Sequence, residues 1–442
     1  MKIFDTDYYQ FTMSLAYLVA DKANETTGFE SFVRHIKPKV NTSGDFYIFS
    51  GENEVENFIK SVKEEIKDST FFDKFWQIVK GSIEEDRQAE IYTKAKVNFD
   101  KMKKDFDYTV MEEGTVLRPY VPVFQYKGPK MFGQMIETRI TNIVNGRTGY
   151  ATYKSQGDFY EADIGSVTEI MNGEDTEAYR DYIAAVTNTA IEYRKATTRL
   201  LFEAAFRRSP NSVIANLASK IAVDNGWNGT SNVAAYQIEM VRLKDLGGSM
   251  AHAFVMSFET EIEAFRAWDN VFPNSTFLVD TYDTIACIKM LIEEDLKPAR
   301  VRIDSGDLKA LSYEVRSILD AAGWNDVKIF ISGDITPEML REYEAENVPF
   351  DLTMAGTKYV NIFEMEQMNA GFVYKIVEYT KDRKTFYPEK KAEGKTNYPG
   401  LKKITINPEG ELIMEIGQKT FGYPSDMSKV VAETKVIFRE GY

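Results

Sequence analysis

Three aspartates each follow a short apolar run in the second half of this 442-residue sequence: TFLVD (276–280), ARVRID (299–304) and VKIFISGD (327–334). A fourth run, DLTMAGT (351–357), ends instead in Gly356-Thr357. Carboxylates gathered at one place repel unless a cation or donated hydroxyls lie between them. Asp280, Asp304 and Asp334 together therefore suit Mg²⁺ holding a diphosphate, or the hydroxyls of a sugar. Each alone could instead cap the helix that follows it. Gly333, Gly356 and Thr357 can offer backbone N–H groups and a hydroxyl to a phosphate. Arg302 stands two residues before Asp304, on the same face of its strand. Inside a barrel such an arginine must pair with the acids or with a bound anion. Arg207 and Arg208 add fixed positive charge suited to planar anions.

The chain has two histidines and one cysteine. His252 lies in GGSMAHAF, a small-residue loop read as opening a long helix that runs through Trp268. A histidine there can act as a nucleophile or contact a phosphate. His35, between Val33 and Ile36 in a strand-like segment, reads as structural or surface, and Cys287 as core packing on a helix. No His, Cys and carboxylate set has zinc-site spacing.

The elements that must carry these residues are legible in the same stretch. The four apolar runs alternate with helices whose apolar residues recur every three or four positions: Ile285, Ile288, Leu291 and Ile292, then Leu308, Leu311, Val315, Ile318 and Leu319. Strands apolar on both faces and alternating with helices predict a parallel sheet covered on both sides, and such folds place their chemistry at the carboxyl ends of the strands. From about Phe29 to Tyr126, strand-like pieces mix with charged helices in an antiparallel α+β layer. Beyond Gly371 come further strands, with NPEG (407–410) as a hairpin signal, and these are expected to rejoin the amino-terminal layer. The expected boundaries are an amino-terminal α+β domain at 1–129, joined by 371–442, and an α/β barrel at 130–370.

Bulk properties narrow the function. A net charge of −14 argues against nucleic acid as a partner, while a few buried arginines can still serve anionic small molecules. No apolar run reaches the length of a membrane span and no signal-peptide region is evident. One cysteine fits a reducing cytoplasm. The expectation is a cytoplasmic enzyme without a membrane partner.

Ordered motifs sharpen this reading. TDYYQFTM (6–13), EEGTVLRPYVPVFQYKGP (112–129), ETRITNIVNGRTGYAT (137–152), NGTSN (228–232), GGSMAHAFVMSF (247–258), LVDTYDT (278–284), RIDSGDL (302–308), SGD (332–334) and AGT (355–357) resemble, in order, the segments of the nicotinate phosphoribosyltransferase family. The related nicotinamide phosphoribosyltransferases are close behind. The resemblance implies an irregular α/β barrel plus an α+β sandwich-like domain built from both chain ends, in a homodimer with active sites at the interface. It implies nicotinate, phosphoribosyl pyrophosphate and ATP as substrates, with Mg²⁺ as cofactor, in NAD salvage. Tyr9 would reach a neighbouring subunit's site and stack on the pyridine ring. His252 matches the histidine phosphorylated by ATP. Arg302, Asp304, Asp280 and Asp334 would hold the ribose and diphosphate, with Asp280 and Asp304 facing the metal. Gly333, Gly356 and Thr357 would cradle the 5-phosphate. Arg207 matches the arginine beside the pyridine carboxyl group, and Thr230 falls among the base-binding residues. Ser231 stands where amide-using relatives carry an aspartate, which favours the acid.

The sequence departs from the family in places. Ala204 replaces an aromatic residue, with Phe206 the nearest ring. Lys154 falls one place late, and the stretch from about Ser155 to Arg199 is longer than usual. The alternatives are a nicotinamide or other-base transferase on the same scaffold, a metal-dependent lyase or aldolase, for which Lys358 is the one lysine at a strand end, and a binding protein that keeps the fold without the chemistry.

Overall fold

Both chain ends contribute to one antiparallel sheet. The computed structural model describes residues 1–35, 47–117, 119–155, 161–366, 368–389, 397–406, 411–416 and 436–437. Strands β1 (Thr26–Val33), β2 (Asp107–Val110) and β3 (Phe124–Pro129) come first. Six strands of a second sheet follow: β4 (Leu200–Glu203), β5 (Gly229–Thr230), β6 (Thr276–Leu278), β7 (Arg300–Ile303), β8 (Lys328–Ile331) and β9 (Leu352–Ala355). Then β10 (Phe372–Lys381) and β11 (Lys384–Phe386) return to the first sheet, whose order is β11-β10-β1-β3-β2.

Central β1 is buried on both faces, and one face is aromatic. Phe29 stacks on Tyr374 at 5.2 Å and meets Tyr126 edge-on at 6.1 Å. Its other face carries Glu30, wholly buried, which accepts from Lys402 Nζ at 2.5 Å. Lys402 opens β12 (Lys402–Ile406), which pairs antiparallel with β13 (Glu411–Ile416), so a buried ion pair ties the carboxy-terminal strands to β1. The NPEG signal between β12 and β13 lies outside the described residues. Removing one partner of a buried pair strands the other charge in low dielectric. Glu30→Ala is therefore expected to cost about 3–5 kcal/mol of stability, and a Glu30→Met/Lys402→Met double variant far less. Denaturant unfolding of the two variants decides it; equal losses would contradict this account.

The second sheet is parallel throughout, in the order β5-β4-β9-β8-β7-β6. It is a half-barrel, since among the described residues β5 and β6 do not pair with each other. The helices predicted after β6 and β7 form at Thr284–Glu293 and Leu308–Ala321, and a further one at Pro337–Ala345 follows β8. The open side is filled from elsewhere in the chain. The helix Tyr8–Val19 is buried nearly all round, as a helix apolar on every side must be. It lies against the 246–251 segment: Thr12 Oγ1 donates to Ser249 O at 2.7 Å, and Gly247 N donates to Thr230 O at 2.9 Å. Across this gap the amino terminus brings its motif to the mouth of the half-barrel.

The expected long helix from His252 through Trp268 is instead two helices, His252–Val255 and Glu261–Asp269. Thr260 breaks it, because its side chain accepts from Glu263 N and starts a new amino terminus. His35 lies beyond the end of β1 and is exposed. No described helix is long and apolar enough to cross a membrane.

Candidate active site

The helix Glu137–Lys154 is mostly buried, yet it carries a polar stripe at spacings of three and four: Glu137, Thr138, Thr141, Asn142, Asn145, Thr148 and Thr152. Buried polar groups require partners, and much of this stripe finds them on one turn. Asn142 Nδ2 donates to Phe206 O (3.0 Å) and Ser209 O (2.8 Å), and Asn145 Nδ2 donates to Arg207 O (3.0 Å). That turn, Phe206–Arg208, follows β4 directly and carries both arginines to the carboxyl edge of the sheet.

At the neighbouring strand ends, His252 stands between two carboxylates. Its Nδ1 lies 3.3 Å from Thr281 Oγ1 and 3.9 Å from Asp280 Oδ1, and its Nε2 lies 3.6 Å from Asp304 Oδ2. One ligand atom from each of His252, Asp280 and Asp304 falls within a 4.8 Å cluster. Ser305 Oγ donates to Asp280 Oδ2, and Ser332 Oγ donates to Asp304 Oδ1 at 2.7 Å. Asp280 Oδ1 is buried without a hydrogen-bond partner. Helix capping does not account for these acids. The caps of the helices after β6, β7 and β8 are Asp283, Asp307 and Thr336, each accepting from the backbone N–H three residues on.

Arg302 was expected to pair with the acids or with an anion. Among the described residues it pairs with neither acid: Nη1 donates to Ser249 Oγ at 3.2 Å, the guanidinium lies 5.7 Å from the Phe330 ring, and Nε is buried without a partner. An unmet donor on a buried cation is a place for an anion. Asp334 does not join the His252 cluster. It is exposed at the end of β8 with φ +48°, and its charge acts on Arg208. Burial and the neighbouring Arg207 lower Arg208 to about 10.

Gly333 precedes it with φ +103°, and a Cβ there would stand 2.5 Å from the Asp304 carbonyl oxygen. Gly356 packs against the backbone of Ala204 just as closely, and Thr357 beside it is partly exposed. Gly333→Ala is thus expected to lose about 1–3 kcal/mol from backbone strain and to displace Asp304. Thermal melts together with turnover check this; a fully active variant of wild-type stability would contradict it.

Across the mouth, Arg207 keeps 41% of its side chain exposed and approaches Glu137 Oε1 at 3.3 Å. Glu137 Oε2 accepts from Gln10 Nε2 and Gln134 Nε2, each at 2.8 Å. Asp7 accepts from Ser231 Oγ (2.5 Å) and Thr138 Oγ1 (2.7 Å), and burial pushes its carboxyl up against those bonds. Tyr9 stands beside Arg207 of its own chain, and it is the leading cause that holds the guanidinium above its ordinary value. Ser231 and Thr230, expected at the base, are buried with their hydroxyls turned inward, Ser231 to Asp7 and Thr230 to Glu203. Glu203, wholly buried, is pushed up to about 7 by that burial. Both hydroxyls are thus taken by buried carboxylates. Phe206 does not replace the ring missing at Ala204, since it packs away from the mouth with Ala215 and Ala234. Lys358 is exposed and paired with Glu366 at 2.7 Å. Asp7, Gln10, Gln134 and Glu137 were not singled out in the sequence, although TDYYQ and ETRITN contain three of them.

Acids, an imidazole and arginines gather at the carboxyl edge of the parallel half-barrel of an α/β fold. No family model matches the chain. Several sequence relatives, however, are named for one activity. Over 439 residues, 95% of this chain and 80% of the relative, it is 27% identical to a nicotinate phosphoribosyltransferase of Mycobacterium tuberculosis. Over 303 residues, 66% of this chain and 54% of the relative, it is 27% identical to that of Bacillus subtilis. Over 438 residues, 84% of this chain and 68% of the relative, it is 25% identical to nicotinate phosphoribosyltransferase 1 of Arabidopsis thaliana. Among solved structures, the nicotinate phosphoribosyltransferase from Porphyromonas gingivalis superposes with a TM-score of 0.62 at 16% identity, covering 90% of this chain and 95% of that one. The enzyme from Vibrio cholerae gives 0.57 at 14%, covering 88% of each. The chain is a homologue of nicotinate phosphoribosyltransferases and has their fold.

Proposed function

We propose that this protein is a nicotinate phosphoribosyltransferase, forming nicotinate mononucleotide and pyrophosphate from nicotinate and phosphoribosyl pyrophosphate, with ATP hydrolysis, in NAD salvage. The observation that carries the sugar half is the convergence of Asp280, Asp304 and His252 beside an arginine with an unmet donor. In the reaction the pyridine nitrogen attacks C1 of the ribose, the C1–O bond to pyrophosphate breaks, and the bonding pair leaves with the diphosphate. Positive charge grows on the sugar ring, where the fixed carboxylates of Asp304 and Asp280 would stabilise it, and negative charge grows on the leaving group, which the unmet Nε of Arg302 would meet. The pyridine nitrogen already carries its lone pair, so no general base is needed.

Asp280 Oδ1, buried and unpartnered, together with Asp304, fits a hard divalent cation. Those two residues would hold Mg²⁺ with the diphosphate, and the ion would supply charge neutralisation to the leaving group. His252 would accept the phosphoryl group of ATP, and its position between two acids gives a phosphorylated imidazole strong leverage on the anions bound nearby. Gly333, Gly356 and Thr357 would receive the 5-phosphate, and Arg207 the nicotinate carboxylate. A cytoplasmic homodimer is part of this reading, and the single, buried Cys287 suits a reducing compartment.

The test is to incubate the protein with phosphoribosyl pyrophosphate, Mg²⁺, ATP and an equal mixture of nicotinate, nicotinamide and quinolinate, and to identify the nucleotide by mass. Nicotinate mononucleotide is expected; another nucleotide, or none, overturns the proposal.

A further inference from the structure

We infer that the helix Glu177–Ala196 positions the proposed 5-phosphate cradle, with Tyr182 and Tyr193 as its two positioning residues, one phenol holding each of the two cradle loops. This inference rests on the proposed function and deepens its 5-phosphate site at Gly333, Gly356 and Thr357. It also gives a task to the stretch from about Ser155 to Arg199, in which that helix lies.

The helix buries Tyr182, Val186, Ala190, Tyr193 and Ala196, at spacings of three and four, so these side chains form one stripe. From Tyr182 to Tyr193 is three turns, about 16 Å along the axis, and the two phenols leave the helix on the same side. Both are buried, and a buried O–H must find an acceptor. Each finds a backbone carbonyl beyond the carboxyl end of one of two adjacent strands, β8 and β9. Tyr193 Oη donates to Ile335 O at 2.6 Å, on the residue that follows Asp334. Tyr182 Oη donates to Val360 O at 2.7 Å, at the end of the single turn Thr357–Val360 that starts after Gly356. Rings fasten the helix to the same place. Tyr193 meets Trp227 edge-on at 5.3 Å and Tyr359 at 6.3 Å, and Trp227 Nε1 donates to Ala190 O at 3.0 Å.

Both loops need such support. Gly333 (φ +103°) and Asp334 (φ +48°) are consecutive left-handed residues. For an aspartate that conformation is costly and persists only where the surroundings impose it. The Tyr193 hydrogen bond to the next carbonyl imposes it from outside the loop. The Thr357–Val360 turn has the opposite weakness: one turn of helix is too short to sustain itself, and Tyr182 satisfies its last carbonyl. Backbone N–H groups bind a phosphate well only when their spacing is set before the anion arrives. One rigid helix with a donor to each loop sets that spacing.

The experiment is titration calorimetry of ribose 5-phosphate and, separately, of pyrophosphate with Mg²⁺ into the full-length wild type, Tyr193→Phe, Tyr182→Phe and Val186→Ala, with thermal melts and initial rates. Each Tyr→Phe change keeps the ring and deletes only the donor. Val186→Ala thins the same buried stripe without touching either carbonyl, so it reports what loss of helix stability does alone. Each Tyr→Phe variant is expected to bind ribose 5-phosphate about three- to tenfold more weakly. KM for phosphoribosyl pyrophosphate should rise in step, while pyrophosphate affinity and KM for nicotinate stay at wild-type values. Val186→Ala should melt lower and keep its ribose 5-phosphate affinity. Unchanged ribose 5-phosphate binding in a folded Tyr→Phe variant overturns the inference, as does equal weakening of ribose 5-phosphate and pyrophosphate. Val186→Ala as impaired in ribose 5-phosphate binding as the tyrosine variants overturns it too. The two loops are fastened separately, so either tyrosine variant carries the test if the other does not fold. A wild type that forms no nucleotide and binds no ribose 5-phosphate refutes the parent reading, and that failure is visible before any variant is made.

Discussion

Asp304→Ala will abolish nucleotide formation while leaving the protein folded. Asp304 ends β7 at the mouth, partly exposed, with one oxygen held by Ser332 and the other facing His252. Its carboxylate is placed by the strand and by that serine, so it needs no reorganisation as charge develops on the ribose. Preorganised electrostatic groups of this kind are worth about 10²–10³ in rate each. Asp304 is also proposed to hold Mg²⁺, so a fall of about 10³-fold or more in kcat/KM, roughly 4 kcal/mol, is expected. Stability should change by no more than about 1 kcal/mol, because the side chain is partly exposed. Initial rates and a thermal melt measure both. Turnover near that of wild type would remove Asp304 from the sugar site.

His252→Ala will uncouple the enzyme from ATP. The imidazole is held by Thr281 and stands between Asp280 and Asp304, where the diphosphate is expected. Phosphorylation there adds close to two negative charges at a site already lined by two acids, a change large enough to shift the affinities of pyrophosphate and product. Without the histidine, ATP consumed per nucleotide should fall to background and the protein should no longer take up acid-labile phosphate from labelled ATP. Synthesis should continue slowly, since Asp304, Asp280 and Arg302 remain. An ATP-to-product ratio equal to that of wild type would contradict the role.

The strand ends that carry Asp280 and Asp304 could be read from the chain because their signals are local. An apolar run ending in an acid names both the strand and the side chain at its carboxyl end, and β6, β7, β8 and β9 formed where TFLVD, ARVRID, VKIFISGD and DLTMAGT stand. Asp283, Asp307 and Thr336, which the sequence reading did not single out, cap the helices three residues or fewer beyond Asp280, Asp304 and Asp334 and answer the question the sequence left open about them. Asp334 nevertheless stands apart, exposed and itself in the left-handed region after Gly333.

The network around Arg207, where the base is proposed to bind, was hidden because its partners are remote in sequence. Glu137 joins Arg207, Gln10 and Gln134, and nothing in ETRITN says that a glutamate at the start of a helix faces inward. Polar residues at helical spacing usually mark a solvated face; here they mark the face that holds the Phe206–Arg208 turn. The partners of Thr230 and Ser231 were hidden for the same reason, since the buried acids that accept from their hydroxyls, Glu203 and Asp7, lie on other elements. The break at Thr260 was legible as a cap followed by Glu263, yet the apolar period runs through it.

The central claim is that Asp280, Asp304 and Arg302 surround one activated sugar at the mouth of the half-barrel. A crystal structure of the protein with phosphoribosyl pyrophosphate and Mg²⁺, without base, tests it most directly. The account predicts ribose hydroxyls or metal against Asp280 and Asp304, and diphosphate oxygens within hydrogen-bonding distance of Arg302. The ligand bound elsewhere, with those three side chains left as they are, would contradict it.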